Sequence, residues 1–394
     1  MISFDEAAAL VLDAATPLGG ETIAIADAAH RVLASPVVAR VDSPRADVSA
    51  MDGYAARSAD TVAPVRLQVI GRSLPGVGFD GEVGPGQAVR IFTGAPIPAG
   101  ADRVVIQEVV RLDGAEAVLD APAVGSAHVR ARGSDFAAGE ELLEAGRSLD
   151  PRAMVAAGAA DWPQVEVLRR PRVVVLGTGD ELFEPGQAHA SRFGIAESVS
   201  LGVAALAEAW GGVMVDRRRL TDELDLLKQA ARQALGDADV VVVTGGASVG
   251  ERDFARAMFE DCGLELIFSK VEIKPGKPVW LGHAMGSLIL GLPGNPTSAM
   301  VTGRLFLAPL LAGLSGHDPY AAMSWISTQL GANLPATGDR ETFYRGRYGP
   351  LGVEPLIDQD SGSQKALSTA EVLIRRRPND PAAGPGEMVE VLEF

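Results

Sequence analysis

The sequence predicts a multidomain protein of α/β plus β class, with a doubly wound α/β domain, a β-rich inserted lobe and a β-rich C-terminal domain. Three observations carry this expectation. The chain has 394 residues, 47% of them hydrophobic, more than a single core accommodates. Two apolar runs, Arg172 to Leu176 and Asp239 to Val243, suit parallel strands covered on both faces, and helical periodicity fills the chain between them. From about Ala39 to Asp135, and again after Gly316, short β-rich runs alternate with Gly and Pro turns. The implied boundaries are a mixed helical part made of 1–38 and 136–170, the inserted lobe at 39–135, the α/β domain at 171–316 and the C-terminal β domain at 317–394.

Each element has a local reason. Ser3 and Glu6 form a capping box, and Phe4, Ala8 and Val11 recur on one face, so the chain opens with an amphipathic helix that closes near Pro17-Leu18-Gly19-Gly20. The lobe holds strand-like runs at Val65 to Ile70, Ala88 to Phe92 and Val104 to Gln107, with Asp113-Gly114 as a hairpin turn. Asp150 caps, and Pro151 starts, an Ala-rich helix to Ala160 that is expected to return to the first helix. In the α/β part, Ser198 to Trp210 and Thr221 to Leu235 have helical periodicity; Thr221 is the expected cap of the second, with Asp222 at its positive end. Ser287 to Leu290 leads into Gly291-Leu292-Pro293-Gly294-Asn295-Pro296 and a helix to about Leu311, and the tail ends in a strand from Glu387 to Leu392.

Composition narrows the chemistry. A net charge of −16 rules out a general attraction to nucleic acid or anionic lipid, so any anionic ligand must be met by local bases. The single cysteine, Cys262, excludes a disulfide framework, fits a reducing cytoplasm, and reads as an inert thiol at a helix end. The N-terminus shows no export signal, and no run approaches the ~20 apolar residues of a membrane span, so a soluble cytoplasmic protein is expected. Five scattered histidines argue against a zinc site or a Ser-His-Asp triad.

What remains is carboxylates, lysines, arginines and glycine-rich loops. Three strand ends carry such loops: Gly177-Thr178-Gly179-Asp180-Glu181, the Thr244 to Gly250 loop with Gly245, Gly246 and Ser248, and Gly291 to Pro296. One such loop is more often a plain turn, but three in one doubly wound sheet converge on a crevice where backbone N–H groups reach phosphate oxygens. Neither the dinucleotide fingerprint nor a Walker-type loop is complete. In Lys270-Val271-Glu272-Ile273-Lys274-Pro275-Gly276-Lys277-Pro278, strand alternation puts Lys270, Glu272 and Lys274 on one face, with Lys277 across a Pro-Gly turn. The cluster is either an oxyanion seat or a solvated edge strand. Glu181, Asp222 and Asp253 are placed near the same crevice, and carboxylates beside phosphates favour Mg²⁺.

Six stretches follow one another along the chain: Ser49-Ala50-Met51-Asp52-Gly53-Tyr54-Ala55, Phe92-Thr93-Gly94-Ala95-Pro96, Gly177 to Leu182, Gly245 to Gly250, Lys274 to Pro278 and Gly291 to Pro296. In this order they resemble stretches of the molybdopterin molybdenumtransferases, a family that includes the carboxy-terminal part of gephyrin. The resemblance implies an elongated homodimer with its site at the subunit interface, and a molybdopterin-binding α/β domain. It implies insertion of molybdate into adenylated molybdopterin with release of AMP, Mg²⁺ dependence, and a molybdopterin adenylyltransferase as partner. By motif match, Asp52, Thr93, Glu181, Asp222, Asp253, Lys270, Lys274, Arg345 and Ser363 fall at functional positions, and Pro293 and Pro296 shape the pocket. Molybdenum is then ligated by the two sulfurs of the pterin, so the protein needs no cysteine there. Two departures stand out: Glu197-Ser198-Val199 where the family usually shows Asp-Ser-Asn or Asp-Thr-Asn, and Ala370-Glu371 in place of Ala-Asn. The rival readings are a divergent paralogue that binds pterin or organises a complex without turnover, and a Mg²⁺-dependent phosphate-ester hydrolase.

Overall fold

The first helix, Phe4–Ala14, starts as the capping box dictates: the Glu6 N–H donates to the Ser3 hydroxyl at 3.2 Å and the Ser3 N–H to the Glu6 carboxylate at 2.8 Å. The computed structural model describes residues 1–62, 64–245 and 254–394. They divide into two units, Met1–Glu21 with Leu168–Phe394, and Thr22–Val167. The first helix belongs to the former, which corrects its expected pairing with the 136–170 segment. The reason is aromatic: Phe4 is buried with ring centroids 5.0 Å from Phe343 and 5.9 Å from Phe306, while Ala7, Ala8 and Val11 line the same core.

The α/β sheet of this unit has the order Val213–Leu220, Arg172–Thr178, Val240–Thr244, Ser287–Leu292, Trp280–Ala284, Glu265–Phe268. Its first four strands are parallel, and the last two join through antiparallel pairings, with Trp280–Ala284 running against the rest. The apolar runs form central strands buried on both faces, as their composition requires. The sequence did not mark the two antiparallel strands, because Trp280-Leu-Gly-His-Ala284 neither alternates nor runs apolar. The helix Leu224–Asp237 begins with no side-chain cap, so Thr221 does not cap it and Asp222 lies before its first turn. The Asp222 N–H is committed elsewhere, to Asp180 Oδ1 at 3.0 Å.

Pro296–Leu314 forms one continuous 19-residue helix, long and apolar enough to cross a membrane, which corrects the expectation that no run approaches that length. It is 94% buried within its own unit and serves as the core helix. A π-helical turn, Gly303–Leu307, interrupts it and carries Arg304. This buried guanidinium donates to Glu393 O at 2.6 Å and Ala322 O at 2.7 Å, and lies 4.7 Å from the Trp210 ring centre. Burial pushes its pKa down to about 10, so it remains a cation at neutral pH and pins the last strand.

The second sheet of this unit runs Ile273–Lys274, Glu341–Gly349, Val372–Arg376, Met388–Glu393, Ile326–Gln329, with Gly352–Pro355 paired on Glu341–Gly349. Only Ile273–Lys274 of the expected 270–274 strand is a strand, and it pairs in parallel with Glu341 and Thr342. The alternation holds nonetheless, since Val271 and Ile273 are fully buried and Lys274 is exposed.

In the unit Thr22–Val167, the helix Pro151–Ala159 is capped by Asp150, whose carboxylate accepts the Arg152 and Ala153 N–H groups at 2.9 and 2.8 Å. It packs over Leu33, Val37, Leu149, Val165 and Val167. A six-stranded sheet, ordered Arg103–Ile106, Gly53–Ala56, Gln87–Ile91, Val65–Ser73, Glu116–Leu119, Arg111–Asp113, makes up the β-rich lobe. Gly114, with φ at +66°, turns the expected hairpin. Gly53 is a strand residue and not a turn residue: a Cβ there would lie 2.0 Å from Val105 O on the neighbouring strand.

Candidate active site

The parallel sheet reverses its winding between Arg172–Thr178 and Val240–Thr244, so the carboxyl ends of these strands splay apart and open a crevice. A cleft of 620 Å³ sits there, lined by Thr178, Gly179, Glu181, Asp222, Gly245, Pro293, Gly294 and Pro296 among others. The three glycine-bearing loops thus converge. Gly245 has φ +92°, and a Cβ on it would stand 2.4 Å from Thr178 O; one on Gly294 would lie 3.2 Å from the Gly245 Cα. The loops meet backbone to backbone, which only glycine allows. Gly246, Ser248 and Asp253 lie outside the described residues.

Glu181 and Asp222 face this cleft from adjacent strand ends and are the oxygen donors that suit a hard divalent cation. Among the described residues no group of three or more His, Cys, Asp and Glu is gathered closely enough to hold a metal. Glu197 lines the same cleft, is 1% exposed and is held by its neighbours. It accepts the Ser200 N–H at 2.8 Å and Arg217 Nη1 at 3.1 Å, and also bonds the Ser200 hydroxyl. Its role at the start of the helix Val199–Ala209 is an ion pair and a cap, while Val199 itself stands in the cleft wall.

The lysines do not share this crevice. Because Ile273–Lys274 joins the second sheet, Lys274 and Lys277 line a separate cleft of 480 Å³ with Arg340 and Arg345, against one carboxylate, Asp360. Pro278 lines both clefts. Gly276, at φ +104°, makes the turn between the lysines, where a Cβ would strike Thr302 Cγ2 at 2.2 Å. Lys270 lines neither cleft; its carbonyl accepts the Ile2 N–H at 3.1 Å. Arg345 is 3% exposed, donates through Nη2 to Asp360 O at 3.3 Å, and has its pKa lowered by burial. Ser363 lies between Gly362 and Gln364 of the first cleft, and hydrogen bonding to its hydroxyl holds the Asp358 carboxyl below its usual range.

Sequence reasoning missed Arg340 as a site residue, although the basic run Arg340 to Arg347 was its signal. It also missed Asn295, whose Nδ2 donates to Ser361 Oγ at 3.0 Å and ties the Gly-Pro loop to the chain before Ser363. In the other unit, Asp52 and Thr93 do come together: the Thr93 N–H and hydroxyl donate to Asp52 Oδ1 at 2.8 and 2.9 Å and lower its pKa. Glu371 does not line the first cleft; it accepts the Tyr348 N–H at 2.7 Å in a third, polar cleft.

An α/β sheet with a cleft at its switch point defines a doubly wound, ligand-binding class of protein. Family models match throughout: the MoeA N-terminal region (domain I and II) at residues 2–160, a probable molybdopterin binding domain at 174–313, and the MoeA C-terminal region (domain IV) at 327–394. Molybdopterin molybdenumtransferase from Haemophilus influenzae is 35% identical over 402 residues, covering 100% of this chain and 99% of its own. That of Bacillus subtilis is 34% identical, covering 95% of this chain and 90% of its own. The crystal structure of the molybdopterin biosynthesis moeA protein from Pyrococcus horikoshii superimposes with a TM-score of 0.84 at 28% identity, covering 100% of this chain and 99% of that one. The chain belongs to the molybdopterin molybdenumtransferase family.

Proposed function

We propose that this protein inserts molybdate into adenylated molybdopterin, releasing AMP and molybdenum cofactor. The observation that supports it best is the pair of clefts sharing Pro278, one lined by glycine backbone and carboxylates and the other by four basic side chains. Both reactants are anionic, and a protein of net charge −16 needs such a local concentration of bases to receive them. In this reading Lys274, Lys277, Arg340 and Arg345 hold and orient the oxyanion. The glycine-loop N–H groups receive the phosphates of the adenylate. Glu181 and Asp222, with Asp253, hold Mg²⁺ or its waters; the ion when bound neutralises phosphate charge. Lys270, Ser363, Pro293 and Pro296 shape the surroundings of the two clefts.

The working unit in this proposal is a homodimer, with Asp52 and Thr93 supplied by one chain and Lys270, Lys274 and Asp253 by the other; its support is the family resemblance. A molybdopterin adenylyltransferase would deliver the adenylated pterin. Purified protein supplied with adenylated molybdopterin should release AMP only when molybdate is added, with cofactor formed in parallel. Pterin binding without release would favour a non-catalytic paralogue, the reading that Val199 in the cleft wall keeps open. Release without molybdate would make the protein a phosphate-ester hydrolase.

A further inference from the structure

We propose that Asp180 and Arg219 are positioning residues that fix the two candidate metal-binding carboxylates, Glu181 and Asp222, relative to each other. This inference rests on the reading above. Glu181 follows the strand Arg172–Thr178 and Asp222 follows the neighbouring strand Val213–Leu220, so each sits on a loop that the sheet alone does not hold in place. Three hydrogen bonds join the two segments around the last rung of the ladder, Thr178 against Leu220. The Gly179 N–H donates to Leu220 O at 3.2 Å, the Asp222 N–H to Asp180 Oδ1 at 3.0 Å, and Arg219 Nη1 to Leu182 O at 2.9 Å. The last two involve side chains, Asp180 directly before Glu181 and Arg219 three residues before Asp222, and neither Asp180 nor Arg219 lines the cleft.

The geometry divides the labour. Asp180 is not among the cleft's lining residues, and its Oδ1 accepts the backbone N–H of Asp222, setting where that residue's Cα stands. Arg219, one strand over, holds the carbonyl just past Glu181, while the Glu181 carbonyl itself accepts the Ile195 N–H at 2.8 Å. The backbone at or beside each carboxylate residue is therefore tied to the neighbouring segment, and losing a residue that orients a metal ligand typically weakens metal affinity by about 10–100-fold.

The test compares the full-length wild-type chain with Asp180→Ala, Asp180→Asn and Arg219→Ala. Two readouts are taken: Mn²⁺ binding in the presence of AMP, followed by the electron paramagnetic resonance of free Mn²⁺, and the Mg²⁺ concentration for half-maximal molybdate-dependent AMP release. Asp180→Ala and Arg219→Ala should weaken Mn²⁺ binding by about tenfold or more and raise the Mg²⁺ requirement similarly, with melting temperature little changed. Asp180→Asn keeps an acceptor oxygen for the Asp222 N–H and should stay within about threefold of wild type. Asn behaving as badly as Ala would place the Asp180 charge in the ligand set and overturn the positioning role, as would Mn²⁺ binding unchanged in both Ala variants or absent in the wild type. If the variants order as expected in Mn²⁺ binding while the wild type releases no AMP, positioning stands and the reaction assigned above falls. If AMP is released and no variant shifts the metal dependence, the reverse holds.

Discussion

Lys274 shows how one side chain's role depends on which sheet it joins. It is exposed, ends a two-residue strand, and faces a cleft whose other charged walls are Lys277, Arg340, Arg345 and Asp360. Replacing it with Ala should leave stability within about 0.5 kcal/mol, since a surface lysine contributes little to folding. The molybdate concentration for half-maximal AMP release should rise about tenfold, the worth of one charge-assisted hydrogen bond. Unchanged molybdate dependence in a folded Lys274→Ala protein would remove it from the oxyanion seat. At the same scale, Asp150 answers to pH. Its carboxyl is lowered to about 2, chiefly by the Ala153 N–H it accepts. Its stabilisation is therefore present above the ordinary carboxyl range near 3.8 and lost as pH falls through about 2. Acid denaturation of Asp150→Ala should accordingly diverge from wild type above pH 4 and converge with it below pH 2.

Glycines govern the elements. Gly53 lies in the Met-Asp-Gly-Tyr motif, where its type suggests a turn, yet it is buried mid-sheet under the Val105 carbonyl. Gly53→Ala should cost about 3 kcal/mol in a denaturant titration, because backbone cannot rotate aside as a side chain can. Full retention of stability would mean the strands part more readily than their spacing suggests. The same contrast explains what could be read beforehand. The Ser3–Glu6 capping box, the Asp113-Gly114 hairpin and the Val-rich strands depend on neighbours within a few residues, and they stand where expected. Convergence of the glycine loops followed from one general property of doubly wound sheets. Pairing of Ile273–Lys274 with Glu341–Thr342 depends on residues far along the chain, and so does burial of Phe4 against Phe306 and Phe343. No local pattern encodes such partners, so neither the separate cleft of Lys274 and Lys277 nor the packing of the first helix is legible in the sequence.

Across the unit Met1–Glu21 with Leu168–Phe394, Arg375 is the tie between its ends: it bonds Glu341, donates to Asp5 at 2.6 Å, and lies over the rings of Phe4 and Trp325. Burial raises the Glu341 pKa. Arg375→Met would strand that carboxylate and should cost about 3 kcal/mol at neutral pH. Because a raised carboxyl pKa favours the folded state below it, part of this loss should return as the solution is acidified through the Glu341 titration. A loss independent of pH would assign the effect to packing alone. The dimer proposal is tested at this scale too: mixing Asp52→Ala and Lys274→Ala chains under subunit exchange should restore about one intact site per heterodimer, and heterodimers without activity would refute shared sites. Finally, the anchoring of Lys274 on Glu341–Thr342 has a genetic consequence. A nonsense codon anywhere between 317 and 340 leaves the lysine's own codon untouched but deletes the strand that sets its register. Recombination that exchanges the 3′ portion of the gene must therefore import a compatible docking strand, so the two segments are heritable as a pair.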